Sequence, residues 1–318
     1  MNYKKIVVAG GGVLGSQIAF QSAYSGFDVT LYVLNDDCVK ESKEKIKKLK
    51  KTYEEAIDEM EKGGEWSAGI SDENFDKKEC LKKVSKAFES IEYVTNLKKA
   101  VKDADLVIES ISEKFDIKRD FYQKLAPLLD EKTVIVTNSS TLLPSQLSKY
   151  TGRPSKFLSL HFANAIWKNN TAEVMVHEKT DKKYFEEVQK FGNDIRMFVL
   201  PITNEKAGYL LNSMLVPLLL SAMDMLANNI STPEAIDLAW TRGTGAPKGP
   251  FQIIDIVGLA TALNIVDQYQ KVPGLLNPLL KKMLLPYNYK GMKSILEKYM
   301  KEGKTGLAAG EGFYKYEK

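Results

Sequence analysis

His161 is the side chain of this sequence best suited by type and position to acid–base chemistry. The chain contains two histidines, and His161 closes the apolar run 156–162, which is typical of a β-strand. An imidazole titrates near neutral pH, so a histidine at a strand end could take the proton of an alcohol as its hydride leaves. Glu173, in the strand-like segment 171–175, could fix the tautomer of such a base. A hydrogen-bonded structural histidine and an ordinary surface glutamate are the alternatives.

A glycine-rich turn near residue 10 predicts a dinucleotide site. The β-branched run 5–9 leads directly into Gly10-x-Gly12-x-x-Gly15, and an apolar helical pattern follows. Gly10 permits the tight turn, Gly12 lets the backbone approach a pyrophosphate, and Gly15 lets the helix pack closely on its strand. A glycine turn without a ligand is the alternative.

Strands and helices alternate through the first part of the chain. We predict strands at 29–34, 105–109, 133–137, 156–162, 171–175 and 197–201, the fifth of them at a sheet edge, and a helix at 118–129. This alternation predicts an α/β fold with a doubly wound, mostly parallel sheet of Rossmann type, whose ligands bind beyond the carboxyl ends of the strands. The polar residues at those ends are Glu109, Asn138, Ser140 and His161.

Two changes in composition and residue pattern indicate the domain organisation. Residues 39–90 are charged and helix-prone, so we predict a helical insertion in a first domain that spans 1–201. Its lysines suit either a solvated helix face or a cationic surface for a polyanionic substrate handle such as coenzyme A. Thr203 or Asn204 could cap a long helix, and helical patterns then continue through an all-helical domain at 202–318.

Composition restricts the class of protein. The 318 residues carry a net charge of +4, which argues against nucleic acid as a partner. Cys38 and Cys80 show neither a disulfide framework nor metal-ligand spacing, so we predict a reducing compartment and no metal. We find no signal segment or membrane span and expect a soluble cytoplasmic protein.

Several segments together resemble the L-3-hydroxyacyl-CoA dehydrogenase family, over essentially the whole chain. The resemblance looks closest to a diverged, diketoreductase-like branch. It is carried by the glycine turn and by the segments 136–142, 160–164, 207–212, 244–259 and 306–316. Ser140 lies 21 residues before His161 and Glu173 lies 12 residues after it, which are the intervals of that family.

The resemblance implies an NAD(P)-dependent oxidoreductase of fatty acid metabolism that interconverts 3-hydroxyacyl and 3-oxoacyl substrates. It implies that His161 is the general acid/base and that Glu173 is its electrostatic partner. Ser140 and Asn212 would bind the C3 oxygen of a small-molecule substrate, and Asn164 would shape the same pocket. A homodimer formed through the helical domain is also implied. Glu109 resembles the cofactor contact of that family, and the cofactor contacts that we predict in all are Gly10, Gly12, Val13, Leu14, Gly15, Asn35, Glu109 and Asn138.

One departure from the family concerns the choice of cofactor. NAD-preferring members end the second strand in an aspartate that binds the adenosine ribose, whereas this chain has Val33 there. Without that carboxylate the 2′-phosphate of NADP is not repelled, so the site could also bind NADP. No arginine follows to bind a 2′-phosphate, however, and Asp36 and Asp37 would oppose one unless they point away. We therefore expect NAD and keep NADP as an alternative.

A second departure concerns the substrate. The segment 163–170 replaces the proline-containing turn of typical acyl-CoA members. We expect CoA thioesters, and the alternative is a reductase of free β-keto or diketo acids or esters. A crystallin-like, nucleotide-binding structural protein is the non-enzyme alternative, although a structural role does not require Ser140, His161, Glu173 and Asn212 together. The stretch 273–291 has no family match and is expected to be a packing or dimer surface.

Overall fold

The apolar, β-branched runs of the sequence form the strands of one buried sheet. The structure, a computed structural model, describes residues 3–270 and 287–316. Strands β4 and β5 are buried at every residue, as expected for strands covered by helices on both faces. The strands are β1 (Lys5–Ala9), β2 (Asp28–Tyr32), β3 (Glu92–Val94), β4 (Leu106–Glu109), β5 (Val134–Thr137), β6 (Phe157–Phe162), β7 (Thr171–Met175) and β8 (Phe198–Ile202).

The strand order is β3-β2-β1-β4-β5-β6-β7-β8. Neighbouring strands from β3 to β6 are parallel, β7 is antiparallel to β6, and β8 is parallel to β7. The predicted mostly parallel Rossmann-type sheet is thus confirmed. Because chain order reverses between β1 and β4, the ligand crevice of such a sheet lies at their carboxyl ends. The prediction that Thr171–Met175 is an edge strand is wrong, since β8 pairs with its outer side.

The turn between β6 and β7 determines which side chains face each other. The segment 163–170 is too short for the crossover that parallel strands need, so the chain returns antiparallel. Ala165 takes a left-handed conformation in this turn, with φ 57°. The resulting register places His161 directly opposite Glu173.

Helices cover the sheet and form the insertion predicted at 39–90. In α2 and α3 apolar residues repeat at helical spacing and are buried, while most lysines between them are exposed. The helix predicted at 118–129 starts earlier, and Pro127 turns its end into a short 3₁₀ helix, Ala126–Leu128. The α-helices of this part are α1 (Val13–Tyr24), α2 (Asp36–Glu61), α3 (Lys77–Ser90), α4 (Leu97–Ala100), α5 (Phe115–Leu125), α6 (Pro144–Ser148) and α7 (Lys182–Asp194).

The chain divides into two compact units, Met1–Leu210 and Leu211–Lys318. The first ends beyond the domain boundary predicted near residue 201. No helix starts at Thr203 or Asn204, so that predicted cap is wrong: Gly208 and Tyr209 have left-handed backbone conformations, with φ 84° and 55°, and α8 begins only at Leu211.

The second unit is helical in its described residues. It contains α8 (Leu211–Ala227), α9 (Pro233–Thr244), α10 (Pro250–Val257), α11 (Leu259–Tyr269) and α12 (Tyr289–Lys301) around their own apolar core. Of the stretch predicted as a packing or dimer surface, residues 273–286 lie outside the described residues. Where helices are described, no single one is long and apolar enough to cross a membrane; the pair α10 and α11, bent by 105°, reaches that length and composition only together.

Candidate active site

His161 stands between a hydroxyl and a carboxylate. Its Nδ1 lies 2.9 Å from Glu173 Oε2, and its Nε2 lies 3.1 Å from Ser140 Oγ. An ionised carboxylate can only accept a hydrogen bond, so Nδ1 carries a proton and Nε2 is left to exchange one. The side chains of His161 and Glu173 are only 12% and 6% exposed. The structure therefore brings together the histidine, the carboxylate and the hydroxyl that the sequence predicts to act together.

Glu173 is fixed by a second contact. The backbone N–H of Leu210 donates to Glu173 Oε1 at 2.9 Å, on the oxygen that does not face His161. A carboxylate held at both oxygens keeps the imidazole ring in one orientation and stabilises its protonated form. This is the arrangement expected of an orienter–base pair.

The loop that carries Ser140 is anchored by Glu113. Glu113 Oε1 accepts hydrogen bonds from the backbone N–H and the hydroxyl of Thr141, each at 2.9 Å, and from the hydroxyl of Ser139. Burial alone would raise the pKa of Glu113, but these hydrogen bonds and the ammonium of Lys118 hold it below its usual range. Ser140 thus stands between two residues bound to one ionised carboxylate.

Asn138 links the ends of neighbouring strands. Its side-chain oxygen accepts from the backbone N–H of Phe162 at 3.0 Å, next to His161, and its Nδ2 lies 3.4 Å from Ser110 Oγ. Asn138 therefore connects the end of β6, next to His161, with the end of β4. Its predicted contact with a cofactor stays a prediction.

The glycine turn has the geometry of a dinucleotide-binding turn. Gly10 has φ 114°, and a Cβ there would lie 2.4 Å from the carbonyl oxygen of Ser110. A Cβ at Gly15 would lie 2.0 Å from the carbonyl oxygen of Gly10, so α1 packs directly on the turn. A Cβ at Gly12, by contrast, would meet no protein atom within 4 Å. Gly12 caps α1 without a side chain, which leaves the first N–H groups of the helix to an anionic ligand.

A cavity of about 570 Å³ opens at this turn, and we call it the glycine-turn cavity. Tyr32 and Phe121, which line it, lie with their ring planes 27° apart. Two acidic and two basic side chains also line it: Glu41, Asp120, Lys45 and Lys124. The open space at Gly12, the helix N-terminus and the apolar wall fit a pyrophosphate joined to an adenosine. The other lining residues are Gly10, Gly11, Gly12, Val33, Leu34, Cys38, Ser42, Leu97, Ser110, Ile111, Ser112 and Ile117.

Glu109 is not among the residues that line this cavity, and its predicted contact with the cofactor stays a prediction. It is fully buried, and both of its oxygens are bound by protein groups. Oε1 accepts from Lys118 Nζ at 2.5 Å and from the backbone N–H of Ile111. Oε2 accepts from the hydroxyls of Tyr122 and Thr137 at 2.7 and 2.8 Å. A carboxylate with four protein donors stabilises the fold around β4.

The remaining predicted site residues lie in different settings. Asn35 is exposed and uses its side-chain oxygen to cap α2, accepting from Cys38 N at 2.9 Å. Val13 and Leu14 form the first turn of α1, next to the cavity. Asn164 is exposed in the turn between β6 and β7, and Asn212 lies in α8 of the second unit, so their predicted substrate contacts stay predictions.

Two residues of this site, Glu113 and Tyr209, were not predicted from the sequence. Glu113 follows β4 in Glu109-Ser-Ile-Ser-Glu113, and a second glutamate so close to a strand end was a usable signal. Tyr209 stacks on His161, with ring centroids 4.4 Å apart and planes at 26°. Tyr209 lies in the segment 207–212, where Asn212 was the predicted site residue.

Comparison with known proteins agrees with this geometry. Residues 5–205 match the family model for the NAD binding domain of 3-hydroxyacyl-CoA dehydrogenase, and residues 208–316 match the model for its C-terminal domain. The mitochondrial hydroxyacyl-coenzyme A dehydrogenase of Sus scrofa is 30% identical over 98% of this chain and 91% of its own length. A probable 3-hydroxybutyryl-CoA dehydrogenase of Bacillus subtilis is 27% identical over 100% of this chain and 99% of its own.

A solved structure of diketoreductase, described as acting on dicarbonyl compounds, is also similar. It is 46% identical, with a TM-score of 0.85 over 99% of this chain and 100% of that one. The resemblance drawn from the motifs, including its diketoreductase-like character, is thereby confirmed. This chain belongs to the 3-hydroxyacyl-CoA dehydrogenase family of oxidoreductases, with an NAD-binding Rossmann domain followed by the C-terminal domain of that family.

Proposed function

We propose that this enzyme interconverts (S)-3-hydroxyacyl and 3-oxoacyl groups carried as CoA thioesters, with NAD as the hydride partner. The observation that carries the proposal is the placement of His161, 3.1 Å from Ser140 and 2.9 Å from Glu173. Family membership and relatives named for hydroxyacyl-CoA and 3-hydroxybutyryl-CoA substrates support the class of substrate.

Each member of this group has a role in hydride transfer at C3. In oxidation, His161 Nε2 takes the proton of the substrate hydroxyl, and in reduction it returns that proton to the C3 oxygen. Ser140 donates a hydrogen bond to the same oxygen and stabilises its developing negative charge. Glu173 stabilises the imidazolium that forms. The glycine turn and the cavity residues would hold the nicotinamide cofactor, which when bound accepts or supplies the hydride.

A second candidate function is reduction of free β-keto or diketo acids or esters. The 46% identity with diketoreductase favours it, because this exceeds the identity with the pig and Bacillus subtilis relatives. NADH oxidation distinguishes the two functions when acetoacetyl-CoA is compared with free acetoacetate and diketo esters at matched concentrations. We expect the highest kcat/KM with acetoacetyl-CoA. A higher kcat/KM with the free compounds would replace the thioester proposal by the second candidate.

We propose NAD rather than NADP on the charges around the adenosine end of the cavity. Val33 lines the cavity with a side chain that is only 4% exposed. The positive charges of Lys45 and Lys124 in the cavity lining are balanced by the negative charges of Glu41 and Asp120. The lining therefore has no net positive charge to bind a 2′-phosphate. Asp37, paired with Lys40 at 3.2 Å, is not among the lining residues.

Val33→Asp tests this assignment. We expect it to raise the ratio of kcat/KM with NADH to that with NADPH, since a carboxylate accepts the ribose hydroxyls and repels a 2′-phosphate. Both cofactors are compared for wild type and variant at one ionic strength, with Val33→Asn as the isosteric, neutral control. A shift toward NADPH in the Asp variant would show that Val33 does not face the adenosine ribose.

We also propose a cytoplasmic homodimer. The helical unit exposes several large apolar side chains, which a second copy of the chain would cover. Sedimentation equilibrium at micromolar concentration should give twice the mass of the chain, and a monomer would contradict the proposal. Fractionation of cells tests the location. The apolar side chains concerned are Leu211, Met214, Ile230, Leu238, Trp240, Ile256 and Val257.

A further inference from the structure

The dipeptide Tyr209-Leu210 contacts His161, Glu173 and the residue that precedes Ser140. The Tyr209 ring stacks on the imidazole of His161, and its hydroxyl donates to the carbonyl of Ser139 at 2.6 Å. Leu210 N–H donates to Glu173 Oε1 at 2.9 Å. Ser139 directly precedes Ser140. The hydroxyl, the base and its carboxylate are therefore all fixed from one short segment.

Tyr209 has an uncommon backbone conformation and a buried hydroxyl. Tyr209 has φ 55°, a left-handed conformation that residues other than glycine adopt rarely and keep only when surrounding contacts fix it. The side chain is 1% exposed, and burial raises the pKa of its hydroxyl far above neutral, so the hydroxyl remains a donor. A buried donor and a backbone carbonyl satisfy each other here, and removing the hydroxyl leaves that carbonyl without this partner.

We propose that Tyr209 is a positioning residue of the reaction, because its ring sets the plane of His161 and its hydroxyl sets the loop that places Ser140. The proposal rests on the acid–base role of His161 proposed above. Tyr209 itself touches neither substrate nor cofactor in this proposal. It acts on the rate by keeping Ser140 Oγ and His161 Nε2 at the separation from which both reach one substrate oxygen.

Tyr209→Phe tests the hydroxyl and keeps the ring. We expect kcat to fall about tenfold while KM for NADH and for substrate changes by less than about twofold, because the lost hydrogen bond orients groups rather than binding either ligand. Tyr209→Leu, which also removes the stacking, should reduce kcat further. Rates are normalised to the fraction of chains that bind NADH, so that a loss of folded protein does not count as a loss of rate.

Tyr24→Phe is the matched control. The hydroxyl of Tyr24 likewise donates to a backbone carbonyl, that of Ile70 at 3.1 Å, and its side chain is 3% exposed in the same unit. We expect this variant to lose a similar amount of thermal stability and to keep the wild-type kcat. An equal fall of kcat in both variants would show that Tyr209 contributes to stability alone.

A double-mutant cycle shows whether Tyr209 acts through Ser140. In a Ser140→Ala background, Tyr209→Phe should cost less than about threefold in kcat, since the group it positions is gone. Fully additive losses would overturn the proposal, as would a wild-type kcat for Tyr209→Phe. If instead wild type does not turn over, or His161→Ala is fully active, the proposed function itself fails, which is a separate outcome.

Discussion

Glu109 and Glu173 are both buried glutamates on strands of the same sheet, but their partners differ. Glu109 pairs with Lys118, whose side chain is 1% exposed, and its remaining donors are protein groups. Glu173 pairs with His161, which is 12% exposed and turns its other nitrogen toward Ser140. A lysine keeps its proton at neutral pH, whereas an imidazole exchanges one. Of the two carboxylates, only Glu173 therefore has a partner suited to proton exchange, and this difference makes it the candidate orienter of a base.

The largest effect on the rate should come from replacing His161, the titratable partner of Glu173. His161→Ala should lower kcat by about 10²–10⁴, because the proton at the C3 oxygen then has no positioned acid or base. NADH binding, measured by fluorescence titration, should persist, since the glycine-turn cavity does not contain His161.

His177→Gln controls for the loss of a histidine. His177 is buried, and its Nε2 lies 3.1 Å from the carbonyl of Pro154. That variant should lose stability and keep its rate per folded molecule. A correctly folded His161→Ala enzyme with near-wild-type kcat would remove the distinction between the two glutamates.

Lys118→Met should act mainly on stability. Removing one partner of a buried ion pair leaves the other charge uncompensated, which typically costs about 3–5 kcal/mol. Urea unfolding measures the loss. The double variant Glu109→Gln/Lys118→Met should recover part of it, because neither charge then remains buried. If Lys118→Met left the free energy of unfolding unchanged and abolished NADH binding, Lys118 would belong to the cofactor site.

Glu173→Gln should act mainly on the rate and less on stability. The amide cannot stabilise the imidazolium, and a hydrogen bond to a charged group contributes about 1.5–3 kcal/mol, so kcat should fall about 10- to 100-fold. The free energy of unfolding should change less than in Lys118→Met. Steady-state kinetics and urea unfolding on the same preparations give both quantities. A variant that unfolds more easily yet turns over normally would make Glu173 a structural residue like Glu109.

The sequence predicted the parts of this site that depend on short-range pattern. Strand ends and the glycine turn are local signals, and a separation of 12 residues between His161 and Glu173 fits two strands joined by a short turn. The role of Glu109 was not accessible in this way. Its partner Lys118 lies nine residues further on, and only the packing of α5 on the sheet brings the ammonium to the carboxylate.

Long-range pairing limited the fold prediction as well. Thr171–Met175 has the pattern of a strand, but whether it forms an edge depends on β8, which returns only after α7. The left-handed conformation of Tyr209 has no signal in its residue type, and the same conformation delays the start of α8 to Leu211. Contacts between residues far apart in the sequence are determined by tertiary packing, and they cannot be read from the local pattern of a single sequence.

Glu113 contacts both Lys118 and the loop that carries Ser140. Its substitution should have the smallest effect of those considered. Its Oε2 lies 3.3 Å from Lys118 Nζ, and its Oε1 holds Ser139 and Thr141 around Ser140. Its pKa in the folded protein is held below the usual 4.5, so its contribution to stability is complete above pH 4.5 and is lost as the pH falls through the lower, folded value.

Glu113→Gln should therefore lower the free energy of unfolding at pH 7 by about 1 kcal/mol, a modest loss because the side chain is 37% exposed and solvent screens its charge. The difference from wild type should shrink as urea unfolding is repeated from pH 5 down to pH 3. Glu73→Gln, at an exposed residue, should track wild type throughout. A difference that stays constant down to pH 3 would mean that the Glu113 hydrogen bonds contribute without its charge. The link between the Lys118 network and the Ser140 loop would then be steric rather than electrostatic.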